Sequence, residues 1–175
     1  VRADPDFADA CNNLGVMLQN LGQHEKALEH LSKAIKFKST CPATHFNYAK
    51  SLRAQGKLEQ ALDIYNRAID LKPDYFEAYN NRGSLLEDLQ RHEDARKSYT
   101  SSIRLKSDYA LAYSNRGRVQ KKIGNYAGAM EDFSKAIEFG SWRDNASDQN
   151  LKARLYVNLG DILMFFRKYA RARAA

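Results

Sequence analysis

The sequence lacks most of the features that announce a secreted, membrane-bound or catalytic chain. Its two cysteines, Cys11 and Cys41, stand 30 residues apart in a chain long enough to need no staple, which predicts free thiols in a reducing compartment. No uninterrupted apolar run approaches the roughly 18 residues that a membrane span needs. The first residues, Val1, Arg2, Ala3, Asp4 and Pro5, have no signal-peptide architecture. A soluble intracellular chain, cytoplasmic or nuclear and without membrane association, is therefore expected. Catalytic signatures are missing as well. His24, His30, His45 and His92 show no metal-ligand spacing with one another or with the cysteines, and there is no GxSxG, Walker or dinucleotide-binding loop. These absences predict no catalytic residues, no metal and no cofactor in this chain, and leave open a catalytic domain elsewhere in a longer parent.

What the chain does have is enough apolar content, 43%, for a continuous core, and a net charge of +7 that is unevenly placed. Residues 151–175 hold Lys152, Arg154, Arg167, Lys168, Arg171 and Arg173 against Asp161 alone, so the basic character is mostly local to that end. Such a stretch is either an electrostatic site or the solvated face of a helix.

The strongest signal is a period. Tyr79, Asn80, Asn81, Arg82, Gly83 returns as Cys11, Asn12, Asn13, Leu14, Gly15, as His45 to Ala49, as Tyr113 to Gly117 and as Tyr156 to Gly160. The central asparagine steps by 34 residues from Asn13 to Asn47, Asn81 and Asn115, and by 43 to Asn158, so one nine-residue insertion interrupts a fixed repeat. A period of this size means stacked supersecondary units. Small residues recur at Gly15, Ala49, Gly83, Gly117 and Gly160, at Ala27, Ala61, Ala95, Ala129 and Ala172, and at Ala34, Ala68, Ser102 and Ala136, where helices must approach closely. Large apolar residues recur at Leu31, Tyr65, Tyr99 and Phe133, at Ile35, Ile69, Ile103 and Ile137, and at Phe37, Leu71, Leu105 and Phe139, and are expected to fill the space between them.

Within a unit Ala61, Tyr65, Ala68 and Ile69 follow at i, i+4, i+7, i+8, the stripe of an amphipathic helix. Gly22, Gly56 and Gly124 break units in the middle, and Pro42 and Pro73 lie at unit boundaries. Each unit is thus predicted to be a helical hairpin. First helices are expected near 8–21, 42–55, 76–89, 110–123 and 153–166, and second helices near 24–37, 58–71, 92–105, 126–139 and from 169 onward.

On these residues the chain resembles the tetratricopeptide repeat (TPR) family. Leu14, Gly15, Ala27, Leu31 and Ala34 in one unit, Tyr79, Gly83, Ala95 and Tyr99 in another, and the exit Leu71, Lys72, Pro73 stand where that motif wants them. Gln55 and Gln120 replace usual apolar residues, and Ser107 and Ser141 replace the exit proline. The resemblance implies an all-α, right-handed superhelix, an α–α solenoid. Its expected parts are the tail of a preceding repeat at 1–7, repeats at 8–41, 42–75, 76–109 and 110–143, an insertion at 144–152 and a partial fifth repeat at 153–175. A piece of a longer array is expected, with self-association through exposed terminal repeats such as the one carrying Phe165 and Phe166. The polar insertion is read as a loop or an extension of the fifth unit's first helix. Asn145 begins a glycosylation sequon of little weight in an intracellular chain, and Trp142 either packs under the loop or anchors a partner.

The resemblance also implies that first helices line a concave groove. Asn13, Asn47, Asn81, Asn115 and Asn158 then form a ladder, with Lys50, Arg118, Lys121, Lys122 and Arg154 beside it. Asparagine is a mediocre helix former, and its amide offers both a donor and an acceptor to the backbone of an extended peptide. Inheritance of one asparagine by duplication, with a bond to the adjacent helix, is the competing explanation. The ladder is similar to that of the superhelical repeats of protein O-linked N-acetylglucosamine transferase, and peroxisomal targeting receptors also use groove asparagines. The chaperone-binding clamp for a C-terminal carboxylate is a poor fit, because of its required cations only Arg154 is matched. The expected function is a protein-interaction scaffold for an extended peptide with acidic residues toward Arg118, Lys121 and Lys122. The alternatives are the substrate-recognition region of a TPR-containing glycosyltransferase and a nucleic-acid-associated scaffold using the basic C-terminal part. Against nucleic acid stand the missing phosphate-cradling motif and a groove that is not cationic as a whole.

Overall fold

A computed structural model describes residues 5–142 and 146–174. Among them the regular elements are all helices: α1 (Pro5–Asn20), α2 (His24–Phe37), α3 (Pro42–Ala54), α4 (Leu58–Leu71), α5 (Phe76–Asp88), α6 (His92–Leu105), α7 (Ala110–Lys122), α8 (Tyr126–Phe139) and α9 (Ala146–Ala174). The even-numbered helices have the expected bounds, and α3, α5 and α7 end one residue sooner than predicted. The chain divides into two units, residues 1–91 and 92–175.

The hairpins form where the sequence supplies a local stop. Gly22, Gly56 and Gly124 adopt φ of 73°, 74° and 82°, a left-handed geometry that lets a chain leave one helix and enter the next without a Cβ clash. The corresponding residue of the third repeat is Gln90, which takes φ 59° without being glycine. Pro42 sits in the first turn of α3, where its missing N–H leaves no intrahelical bond unmade. Asn125 caps α8 by accepting from the Gly128 N–H at 3.1 Å.

In the first unit α1 packs on α2, α2 on α3, α3 on α4 and α4 on α5, and α1 also touches α3. Ala27, Leu31 and Ala34 of α2 and Ala61, Leu62, Tyr65, Ala68 and Ile69 of α4 are buried along one stripe each. In the second unit α6 packs on α7, α7 on α8 and α8 on α9. Its core joins Ile103, Tyr113, Phe133, Leu155 and Ile162 through the small residues Ala112, Ala129 and Ala136. Leu31, Tyr65, Tyr99 and Phe133 are at most 1% exposed, and each such side chain removed from water contributes about 1.5–3 kcal/mol. The register at Phe37, Leu71, Leu105 and Phe139 behaves differently from expectation. Leu105 and Phe139 lie in the last turn of their helices and are part exposed, although the Phe139 ring centre still sits 5.6 Å from that of Tyr113 on α7.

The fifth unit departs most from the sequence expectation. Instead of stopping near 166 and restarting at 169, the chain runs as one helix, α9, of 29 residues. The reason is local: the position held by Gly22, Gly56 and Gly124 is here Arg167, and no glycine or proline follows that would end the helix. The described part of the insertion, from Ala146, is an extension of that helix. Tyr156, Val157, Leu163 and Met164 remain exposed along α9. Phe165 and Phe166, also exposed, stack on Tyr126 with ring centroids 4.4 and 6.3 Å away. Trp142 packs against the second unit's core and donates its indole N–H to the Ile137 carbonyl at 2.8 Å, so packing accounts for it. The sequon at Asn145 lies outside the described residues.

Candidate functional site

Equivalent residues of successive first helices make equivalent contacts. The Arg82 guanidinium lies over the Tyr79 ring and donates to Asn66 Oδ1 at 3.0 Å, while Arg116 lies over the Tyr113 ring and donates to Thr100 Oγ1 at 3.1 Å. Arg116 adds a bidentate pair to the buried Asp132 at 2.8 and 2.7 Å, and Gln120 donates to the same carboxylate. The Asp132 carboxylate and the bonds it accepts hold the Arg116 pKa above its ordinary value. This network ties α7 to α8 and makes the arginine of that repeat structural.

The asparagine ladder is less uniform. Asn13 is exposed on α1. Asn47 donates to Asn12 Oδ1 on the neighbouring α1 at 3.2 Å, and its carbonyl accepts from Gln19 Nε2. Asn81 turns its amide N–H back to the Glu77 carbonyl of its own helix at 2.8 Å. Asn115 is buried, and Asn158 accepts from Lys121 Nζ at 3.2 Å. Asn47 and Asn158 thus bond across helices, as the competing explanation expects, while the Asn81 amide N–H stays within its own helix.

Lys121 is held by Asp161 at 2.8 Å and by Asn158. Arg118 is part-buried and Lys122 exposed on α7. Arg154, exposed on α9, lines a shallow cavity with Asn150, Ala153, Val157 and Asn158. Lys50, exposed on α3, has its ammonium 5.8 Å from the centre of the Phe46 ring.

In the first unit Lys50 and Asn81 come together at a cavity of about 410 Å³ that also draws in Gln19, Arg53, Tyr65 and Asp88. Arg53 donates through Nε to Asp88 at 2.6 Å and through Nη2 to Ser84 Oγ at 2.9 Å. Burial pushes the Tyr65 phenol well above the ordinary tyrosine range, with Asp88 adding to the rise and Arg53 opposing it, so the hydroxyl keeps its proton. Sequence reading missed Gln19, Arg53 and Tyr65 as site residues. For Arg53 the signal was available: Asn47, Lys50 and Arg53 follow at i, i+3, i+6 and share a helix face. Among the described residues no group of three or more His, Cys, Asp or Glu side chains could hold a metal ion, and no helix is long and apolar enough to cross a membrane.

Repeated helical hairpins with small residues at the crossings define a helical repeat protein. Family models of the tetratricopeptide repeat match residues 8–41, 49–90, 76–109 and 110–139. The chain belongs to the tetratricopeptide-repeat family, and its all-α fold is the solenoid type of that family. No curated protein matches the sequence significantly. Among solved structures it is similar to MamA, at 26% identity and TM-score 0.73, over 78% of this chain and 80% of that one. PilF of Pseudomonas aeruginosa aligns at 22% identity and TM-score 0.81, over 97% of this chain and 73% of that one. The first TPR of Spaghetti (RPAP3), solved bound to the HSP90 peptide SRMEEVD, aligns at 22% identity and TM-score 0.68, over 71% of this chain and 98% of that one.

Proposed function

We propose that this protein is an interaction scaffold whose first helices bind an extended segment of a partner protein, with no chemistry of its own. In the first unit α1, α3 and α5 supply the binding surface, and in the second unit α7 and α9 do so. The observation that carries this reading is Asn81. Its amide N–H is turned to its own helix, and the side chain lines the cavity beside Lys50. A mid-helix asparagine costs several tenths of a kcal/mol against alanine, about 0.5 kcal/mol, and at position 81 the amide N–H bonds back to its own helix rather than to a neighbouring one. An acceptor held at a groove is suited to the N–H groups of a peptide backbone. The RPAP3 domain supports the reading to the extent that a similar fold holds a peptide.

The test is a titration of isotope-labelled protein with an acetylated and amidated nonapeptide of alternating glycine and glutamine. Side-chain amide signals of Asn47 and Asn81 should shift. Replacing Asn47, Asn81 and Asn115 together with alanine should weaken binding at least tenfold, from bonds of about 0.5–1.5 kcal/mol each. The thermal midpoint should stay within about 5 °C. Unchanged affinity would sink the proposal, and a loss of folding would assign the asparagines to helix packing instead.

A further inference from the structure

The cavity of the first unit contains more unmet hydrogen-bonding capacity than packing accounts for. Tyr65 has no exposed surface, and among the described residues its hydroxyl has no hydrogen-bond partner. Gln19 is 9% exposed; its Nε2 donates to the Asn47 carbonyl and to Ser51 Oγ, while its buried Oε1 is unpartnered. His24 Nδ1, on the same cavity, is buried and unpartnered too. Buried polar atoms in native proteins are nearly always paired, and an unmade bond at such an atom costs about 1–3 kcal/mol. Three such atoms around one opening, two of them on side chains at least nine-tenths buried, mark a place where something binds.

The chemistry of the lining says what. Lys50 and Arg53 are cations, and Asp88, bonded to Arg53, is the one carboxylate among the residues that line the cavity, so the wall keeps an excess of positive charge. Its donors are the Tyr65 O–H, the Lys50 ammonium and the Arg53 guanidinium; its acceptors include the unpartnered Gln19 Oε1 and the Asn81 side-chain carbonyl. An acidic side chain carried on a peptide answers both sets. Its carboxylate oxygens accept from Tyr65, Lys50 and Arg53, and the adjoining backbone N–H groups donate to Gln19 and Asn81. Small side-chain shifts of the kind common on binding would admit a carboxylate to the Tyr65 hydroxyl.

We propose that this cavity is an acid-selecting subsite that takes an Asp or Glu side chain of the bound segment. The inference rests on the peptide-binding reading and moves acid selection to Lys50, Arg53 and Tyr65 of the first unit. In the second unit Lys121 is already neutralised by Asp161.

The probe is an acetylated, amidated nonapeptide of alternating glycine and glutamate, compared with its glycine–glutamine counterpart, so that no chain-terminal carboxylate is present. The glutamate peptide should bind about tenfold more tightly, as expected for charge-assisted hydrogen bonds. It should shift the Gln19 side-chain amide and the Tyr65 ring signals. Tyr65→Phe keeps the packed ring and removes only the hydroxyl; with Lys50→Met it should abolish the preference for glutamate, the two peptides then binding with equal affinity. The triple asparagine variant should instead weaken both peptides, which separates failure of the subsite from failure of the peptide reading. Equal affinity for the two peptides, or shifts confined to other residues, overturns the inference. So does a Tyr65→Phe, Lys50→Met protein that still prefers glutamate, since hydration alone would then account for the hydroxyl. If glutamate is bound only when the peptide end is left as a free carboxylate, the site reads chain ends and the inference also fails.

Discussion

Gly117 and Gly160 hold the same position in their repeats, yet replacing each with alanine should change stability in opposite directions. Alanine in a helix interior is favoured over glycine by about 0.8–1 kcal/mol, and that gain is available at both sites. At position 117 the new Cβ would lie 2.8 Å from Phe133 Cε1, 2.9 Å from Cδ1 and 3.2 Å from Asp132 Cβ. Carbon atoms pack at about 3.5–4.0 Å, so something must move. Phe133 is 1% exposed and Asp132 is clamped by Arg116, which leaves little room for either to yield. Overpacking of this kind costs about 1–3 kcal/mol, for a net loss near 1 kcal/mol. At position 160 nothing lies within 4 Å of the new methyl, so the helical gain of up to about 1 kcal/mol should appear undiminished. The two variants should therefore differ by about 2 kcal/mol, read as urea midpoints at unchanged m-value. Ala49 at this register in the second hairpin is fully buried, so helix spacing is adjusted hairpin by hairpin to the residue present. If Gly160→Ala destabilised as much as Gly117→Ala, a second helix would have to lie on Gly160 and α9 would not be continuous. If both variants were stabilised equally, Gly117 would not set the spacing of α7 and α8.

Two further perturbations address the turns and the buried network. Gln90→Gly should raise the thermal midpoint, because a left-handed non-glycine residue costs about 1–2 kcal/mol and the entropy of glycine in the unfolded chain returns only part of it; a lower midpoint would refute the strain assigned to φ 59°. Arg116→Met leaves the Asp132 carboxylate, 2% exposed, without its cation and should cost about 3–5 kcal/mol, whereas the double variant Arg116→Met, Asp132→Leu should recover most of that loss in urea unfolding.

Much of the fold is legible in the sequence because the signals are local. The 34-residue period, the alternation of small and large residues and the three turn glycines act within a few turns of helix, so the bounds of α2, α4, α6 and α8 follow from them directly. The largest failure of that logic, at α9, is also local once noticed: Arg167 stands where a turn glycine was needed. Gln90 shows the opposite case, a residue in the left-handed turn geometry at the glycine position without being glycine. The candidate site was legible only in part. Asn81 and Lys50 follow from register, and Arg53 could have been added from its spacing.

Tyr65 could not have been found in this way, since in sequence it is one more large residue in the series with Leu31, Tyr99 and Phe133. The sequence by itself determined the helical repeat, its family and the identity of the first-helix side chains. Only the tertiary structure decided which of those side chains are already bonded and which are left with something to offer. Lys121 is closed off by Asp161, 40 residues away, while Tyr65 and Gln19 keep buried atoms unpaired among the described residues. The physical reason is that a helix turn is specified by neighbours in the chain, whereas a hydrogen bond is made or missed according to distances between helices that the chain brings together only when it folds.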